Sequence, residues 1–429
     1  MEPYYQDDAV TIWHANALAL PIPDESVDLI VTSPPYFGLR SYQDGGEHYD
    51  GQIGSEATPA EFVDALIAAT REMVRVLKPS GSIWVNLGDK YAQNTERSRN
   101  AVGGGLDGGK PVRIDGTVTL GSLRNGVPTK SLIGVPWRYA LRCIDDLGLI
   151  LRAEVIWSKP NGLPESVTDR VRRSHETWFH FTRQPRYYSA VDEIRGGYAP
   201  DASARRALYR APSASRYAEG NRKDAARKTS MGVGIDENPL GKLPGSVWEI
   251  PTQPLQVPAE LGIDHFAAFP MELPRRIIRG WSPSGICTAC GEGRRPVTSG
   301  KAEPNPALSL ATRARTNTAS ASTAAACTST LGRAASEATR MVVGEACACP
   351  DTSAPTRPAV VLDPFGGTGT VALVARVLGR QCWHVDLSRD YCQLARWRVT
   401  HPGELARAMQ VEKPEPVAEN QSSLLDLLA

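Results

Sequence analysis

The sequence predicts an α/β protein: a mostly parallel sheet with helices on both faces and an antiparallel hairpin at one edge. Three runs, Val27-Asp28-Leu29-Ile30-Val31-Thr32, Ser82-Ile83-Trp84-Val85-Asn86-Leu87 and Ala359-Val360-Val361-Leu362-Asp363, are apolar and β-branched, as strands buried on both faces should be. Helical patterns alternate with them along the chain, which is the signature of βα units. Two of the runs pass directly into loop chemistry, Ser33-Pro34-Pro35-Tyr36 after the first and Pro364-Phe365-Gly366-Gly367-Thr368-Gly369 after the third.

Each element has its own signal. Residues 59–77 carry helical periodicity, and Lys78-Pro79-Ser80-Gly81 closes that helix before the strand at 82–87. Strands near 151–157 and 177–182 are separated by Lys159-Pro160-Asn161-Gly162, a chain break that suits antiparallel pairing. A helical stretch rich in Ala, Val and Leu follows Gly369, and Gln381-Cys382-Trp383-His384-Val385 forms the next strand, ending at Asp386. No internal repeat is present.

Composition limits the function classes. The chain has 429 residues, 41% of them hydrophobic, with 38 Gly and 33 Pro, enough for a real core threaded by many loops. A net charge of +1 gives no global attraction to nucleic acid, so a DNA-binding face must be a local basic patch. No apolar run has the length of a membrane span, and Met1-Glu2-Pro3 is unlike a signal peptide. Eight Cys without a compact disulfide framework fit a reducing compartment. The expectation is a soluble, cytoplasmic protein.

The loop Asp363-Pro364-Phe365-Gly366-Gly367-Thr368-Gly369 lies between a strand and a helix. Its glycines permit a tight turn and close ligand approach, and the helix N-terminus offers free N–H groups. Asp386, at the end of the next strand, stands where a nucleotide-binding unit places its ribose-binding carboxylate. These residues resemble the methyltransferase motif with a Phe-x-Gly-x-Gly core, filled here by Phe365, Gly367 and Gly369. The resemblance implies S-adenosylmethionine, its amino-acid end near a loop that includes Asp363 and Gly366 and its ribose on Asp386. His265-Phe266-Ala267-Ala268-Phe269-Pro270 resembles the motif that flanks this cofactor from the other side, which implies roles for Phe266, Phe269 and Pro270. Asn16, in Trp13-His14-Ala15-Asn16-Ala17, stands where relatives usually carry an acid.

Ser33-Pro34-Pro35-Tyr36 is the candidate catalytic loop. A base amino group is a poor nucleophile because its lone pair is delocalised into the ring. Acceptors aimed at its N–H bonds localise that pair, provided they are already in place. Two prolines stiffen the backbone so that the Ser33 hydroxyl and the Pro34 carbonyl can face the amine, and Tyr36 offers a ring to an extruded base. The reaction implied is direct transfer to nitrogen, without a Cys nucleophile. With the catalytic loop first and the cofactor loop near the C-terminus, the chain resembles the permuted β group of DNA amino-methyltransferases, found in restriction–modification systems and phages. The likeness runs from Asn16 to about Val399. It includes Asn86-Leu87-Gly88-Asp89, Ile156-Trp157-Ser158-Lys159-Pro160 and Ser246-Val247-Trp248-Glu249-Ile250-Pro251.

This family resemblance implies a Rossmann-like S-adenosylmethionine-dependent fold in permuted motif order, and base flipping. Ser-Pro-Pro-Tyr is the form most associated with cytosine N4, and adenine N6 remains the alternative. Double-stranded DNA is the expected partner, and there is room for a cognate restriction endonuclease on another chain. Methylation of a protein side chain or RNA, and a DNA-binding relative without catalysis, are the more distant alternatives. Residues 195–245 are basic with interleaved tyrosines. Arg205, Arg206, Arg210 and Arg216 there, together with Lys159, are the expected DNA contacts. Cys287, Cys290, Cys347 and Cys349 bracket a low-complexity stretch and form a candidate structural zinc site.

The expected organisation is a catalytic half at 1–190 with a mobile loop at 91–128, and a target-recognition region at 191–250. A cofactor-flanking segment follows at 251–286, a Cys-bracketed insertion at 287–349, the cofactor-binding half at 350–402, and a tail at 403–429.

Overall fold

The computed structural model describes residues 2–38, 43–44, 47–48, 52–92, 123–124, 127–162, 164–197, 240–255, 257–258, 261, 268–298, 342–349 and 353–411. Most of the expected loop at 91–128 lies outside these, as do Phe266, Arg205, Arg206, Arg210 and Arg216. The chain divides into two compact units. One comprises Met1–Ser189, Ser246–Ile286 and Thr356–Ala429, and the other Ala190–Gly245 and Cys287–Pro355.

The first unit carries a sheet whose strands, in chain order, are β1 (Tyr5–Gln6), β2 (Val10–His14), β3 (Val27–Thr32), β4 (Leu77–Leu87), β5 (Ile150–Ser158), β6 (His175–Thr182), β7 (Val247–Glu249), β8 (Val360–Asp363) and β9 (Gln381–Asp386). Across the sheet they run β1-β2-β9-β8-β3-β4-β6-β5-β7. Pairings from β2 through β9, β8 and β3 to β4 are parallel, whereas β6 is antiparallel to both β4 and β5. The expected hairpin of β5 and β6 therefore exists but is not the edge, because β7 adds outside β5 in parallel. Trp157 draws β7 in: its indole N–H donates to the Ile250 carbonyl at 2.7 Å. Sequence periodicity could not show this, since a three-residue strand has no pattern of its own.

Helices α1 (Pro59–Val76), α2 (Val135–Asp145), α3 (Glu272–Trp281), α4 (Thr370–Val377), α5 (Arg389–Thr400) and α6 (Pro402–Met409) cover the sheet. The start of α1 is a capping box: Thr58 Oγ1 accepts from Glu61 N at 3.2 Å and Glu61 Oε2 from Thr58 N at 3.0 Å. Alternation along β4 serves both faces. Ile83, Val85 and Leu87 join Phe62 and Leu66 of α1 and Tyr139 of α2 in one core cluster, while Trp84 meets Trp281 of α3 with ring centroids 4.5 Å apart. No helix among the described residues is long and apolar enough to cross a membrane.

Lys78–Gly81, expected to be a closing turn, belongs to β4 instead. Pairing jumps from Val27↔Leu77 to Leu29↔Ser82, so these residues bulge out of the ladder. Gly81 is required there because a Cβ would stand 2.8 Å from the Asp28 carbonyl oxygen. A Lys-Pro-Ser-Gly run reads as a turn from sequence, and the tertiary ladder overrides it.

The seam between β3 and β8 joins segments far apart in the chain. At its start Asp28 Oδ2 accepts from Val360 N at 2.9 Å, while Lys78 pairs with Asp28 Oδ1 at 2.5 Å. At its end Thr32 Oγ1 donates to Asp363 Oδ1 at 2.7 Å. Burial pushes the Asp363 carboxyl up to about 7 from its ordinary 3.8, even though it accepts from Thr32 and from Phe365 N. A carboxyl raised in the folded state binds its proton more tightly there than in the unfolded chain. It therefore takes stability away as pH climbs from about 4 to about 7, and no more beyond. Asp363→Asn should gain on the wild type across that window, by up to a few kcal/mol at about 1.4 kcal/mol per pH unit. Urea unfolding of both proteins at a series of pH values measures this, and a pH-independent difference would contradict the assignment.

Candidate active site

Parallel strands present their C-terminal ends, and the loops that follow, on one side of a sheet. Because β3 and β8 are neighbours, Ser33-Pro34-Pro35-Tyr36 and Pro364–Thr368 emerge side by side there. They line one cavity of about 930 Å³, together with Asn16, Asp386, Ser388, Tyr391, Lys159, Glu176 and Phe269, among others. Within that wall the Ser33 hydroxyl makes no hydrogen bond to the described residues.

The glycine loop is shaped by what lies behind it. A Cβ on Gly366 would stand 2.2 Å from the ring of His384, and one on Gly369 would stand 2.8 Å from the Ala395 Cβ. Gly367 and Gly369 also have φ of +49° and +75°. Arg398, itself buried, donates to Thr368 O at 3.1 Å, Thr368 Oγ1 at 3.0 Å and Thr370 Oγ1 at 2.9 Å. Its Nε pairs with Glu404 at 3.1 Å. Burial pulls the Arg398 guanidinium below its ordinary range while Glu404 holds it up, so the pair is retained as a fixed brace. Nothing local in the sequence marks Arg398, which reads as one more charge on α5.

Asp386 ends β9, and its carboxylate closes the loop. Oδ2 accepts from Gly367 N at 2.7 Å and Oδ1 from Ser388 N at 2.8 Å. The neighbouring strand brings Asn16 alongside: Ala15 N donates to the Asp386 carbonyl at 2.9 Å, and Asn16 Oδ1 accepts from Leu18 N at 2.9 Å. Three expected cofactor residues do not line the cavity. Asp363 and Gly369 are held behind the loop by Thr32 and Ala395, and Pro270 is buried where its carbonyl accepts from Leu273 N at 3.1 Å, at the start of α3. Phe269 does line it, edge-on to Trp178 with centroids 5.7 Å apart. What remains fits a nucleoside: a carboxylate suited to ribose hydroxyls, aromatic walls in Phe365 and Tyr391, and a backbone kept bare of side chains.

Tyr36 is held at its far end. Its Oη lies 2.6 Å from Asn86 Oδ1 and 2.7 Å from Glu176 Oε2. One phenolic proton cannot serve two acceptors, and the buried Asn86 Nδ2 has no partner. With the amide turned over, Nδ2–H donates to Tyr36 Oη, which in turn donates to Glu176. Glu176 also pairs through Oε1 with Lys159, whose Nζ sits 4.2 Å from the Trp157 ring centroid. Lys159, expected on DNA, thus has its ammonium in the cavity wall, drawn there by Glu176 and the indole face.

The Asn86–Asp89 segment divides its work by residue. Asn86 meets Tyr36, and Gly88 leaves room for that ring, since a Cβ would lie 2.6 Å from Tyr36 Cε2. Asp89 caps α2, its Oδ2 accepting from Gly134 N at 3.0 Å and its Oδ1 from Val135 N at 3.3 Å. Sequence reasoning missed Glu176, Ser388 and Tyr391. Only Ser388, an N-cap accepting from Tyr391 N at 3.2 Å, carried a local signal.

In the second unit, the thiol sulfurs of Cys287, Cys290 and Cys349 lie within 4.8 Å of one another. Cys347 lies beside Cys287 and Cys290 but outside that triplet.

The chain is similar in sequence to DNA methyltransferases. A family model described as DNA methylase, of the N6/N4 type, matches residues 27–287, more than half of the chain. The type II methyltransferase M.Cfr9I of Citrobacter freundii is 37% identical over 190 residues, covering 44% of this chain and 59% of that protein. M.SmaI of Serratia marcescens is 27% identical over 382 residues, 87% of this chain and 85% of its own. Among solved structures, the PvuII DNA methyltransferase (cytosine-N4-specific) aligns over 96% of both chains at 18% identity, with a TM-score of 0.49. On the extent of the family match, this chain belongs to the DNA methylase family of the N6/N4 type.

Proposed function

We propose that this protein transfers a methyl group from S-adenosylmethionine to the exocyclic amino nitrogen of a base in double-stranded DNA, with cytosine N4 as the favoured target. One observation carries the reading: Ser33–Tyr36 and the glycine loop with Asp386 line the same cavity. When bound, S-adenosylmethionine supplies an electrophilic methyl group on a sulfonium. Asp386 accepts hydrogen bonds from the ribose hydroxyls, and Phe365 and Tyr391 flank the adenine. The target base is turned out of the duplex and stacks on Tyr36, whose ring is kept in place by Asn86, Glu176 and the bare backbone at Gly88.

Ser33 Oγ and the Pro34 carbonyl accept from the two amino hydrogens. The nitrogen lone pair would thereby be localised for attack on the methyl carbon; as the C–N bond formed, the methyl–sulfur bond would break, releasing S-adenosylhomocysteine, and one amino proton would pass to solvent. These acceptors gain strength as positive charge builds on nitrogen, so they favour the transition state over the ground state. Ser33 is a neutral acceptor, unlike the carboxylate of Asp-Pro-Pro-Tyr enzymes. The preference for cytosine rests on that resemblance. The basic stretch at 195–245, with Arg205, Arg206, Arg210 and Arg216, is the proposed target-recognition region, contacting phosphates and base edges.

Two measurements test the reading. Asp386→Ala should weaken S-adenosylmethionine binding by about 1.5–3 kcal/mol, through loss of charge-assisted hydrogen bonds to the ribose, as read by calorimetric titration. Unchanged affinity would move the ribose elsewhere. Mass spectrometry of nucleosides from DNA of the expression host should find N4-methylcytosine, reduced by Ser33→Ala. It should fall further with Tyr36→Ala, by about 1–3 kcal/mol in the barrier for lost stacking. N6-methyladenine alone would correct the base and leave the mechanism, whereas C5-methylcytosine would overturn both.

A further inference from the structure

The four cysteines of the second unit stand outside the methyl-transfer site, and their surroundings are those of a metal knuckle. Cys287-Thr288-Ala289-Cys290-Gly291 makes a tight turn closed by Gly291 N donating to Cys287 O at 2.9 Å, with Gly291 at φ +74° in the left-handed region. Within this turn the backbone N–H groups of Ala289 and Cys290 point at the Cys287 sulfur, and the N–H of Glu292 points at that of Cys290.

The second pair comes back to the first across the strands Arg295–Thr298 and Val342–Ala346. These pair antiparallel with Arg295↔Ala346, Pro296↔Glu345 and Val297↔Gly344. The ladder delivers Cys347 and Cys349 directly beyond its end, next to the knuckle. Ala348 N donates to Glu292 Oε2 at 3.4 Å, fixing the register of Cys-Ala-Cys against the turn. Four sulfurs around one zinc at about 2.3 Å would stand about 3.8 Å apart. The mutual separations within 4.8 Å for Cys287, Cys290 and Cys349 already approach this. None of the described cysteines is in a disulfide.

We propose that Cys287, Cys290, Cys347 and Cys349 bind one structural zinc ion as a tetrahedral tetrathiolate, clasping the two ends of the segment at residues 299–341. Ordering the ends of so long a connection is entropically costly, and a metal clip at its base offsets that cost where two short strands alone could not. The site needs no open coordination position, so its role is structural.

The full-length protein, purified under reducing conditions without chelator or an immobilised-metal column, should contain one zinc per chain by elemental analysis. Cys287→Ser and Cys349→Ser should each lose it, and Cys382→Ser should keep it. Because the Ser variants could lose zinc by unfolding, a second measurement uses the wild type. Replacing zinc by Co2+ should give the intense visible bands of a tetrahedral four-thiolate site, with four thiols protected from alkylation until the metal is removed. Zinc-free native protein with freely reactive thiols would overturn the proposal. So would a disulfide among the four cysteines, or a cobalt spectrum of octahedral or oxygen-rich coordination.

Discussion

The seam between β3 and β8 is the constraint on which the site depends. Residues on either side of it are separated by most of the chain, yet they pair in register and are tied at both ends, by Asp28 to Val360 N and by Thr32 to Asp363. A one-residue slip would turn Thr32 and Asp363 to opposite faces, so the side-chain bond selects the register as well as stabilising it. The loops that follow the two strands are short and stiffened, one by two prolines and the other by left-handed glycines. Fixing the strand ends therefore fixes where Ser33 and the glycine loop stand relative to each other. Asp363 serves the seam from behind the wall, in a dry position where its charge is suppressed.

The two sides of the cavity achieve rigidity by different chemistry. On the glycine-loop side, shape comes from exclusion. His384 and Ala395 leave no room for side chains at Gly366 and Gly369, Asp386 holds the Gly367 amide, and Arg398 ties the far end of the loop to Glu404. On the Tyr36 side, shape comes from a polar relay of Asn86, Tyr36, Glu176 and Lys159. Glu176 and Lys159 offset each other's charge, so the relay adds no net charge to the cavity wall. A phenol anchored through its oxygen keeps one orientation of its ring, and it gives up little further entropy when a base stacks on it.

Much of this was legible in the sequence because it is local. The strands at 27–32 and 360–363, the Pro-Pro and Gly-rich loops, and the acid ending β9 each announce themselves within a few residues. Lost to sequence reasoning was what depends on distant partners. Glu176 looks like an ordinary charge near a strand end until the antiparallel β5–β6 pairing sets it opposite Trp157, within reach of Lys159. Lys78–Gly81 resembles a turn until the ladder with β3 absorbs it as a bulge. Asp363 and Gly369 sit in a ligand-binding motif, yet neither lines the cavity: one is tied to Thr32 and the other backs onto Ala395. Asn86–Asp89 was recognisable only as a family pattern, and the geometry gives it reasons: an anchor, a gap and a helix cap.

The central claim is that the methyl donor and the target amine meet in one cavity formed at the β3–β8 seam. The most direct measurement is a crystal structure of the protein with sinefungin, whose amine stands in for the transferable methyl group. The adenosyl group should lie between Phe365 and Tyr391, with the ribose on Asp386 and that amine directed toward the space in front of Ser33 and Tyr36. Sinefungin bound elsewhere, or seated in the cavity with its amine turned away from Ser33, would contradict it.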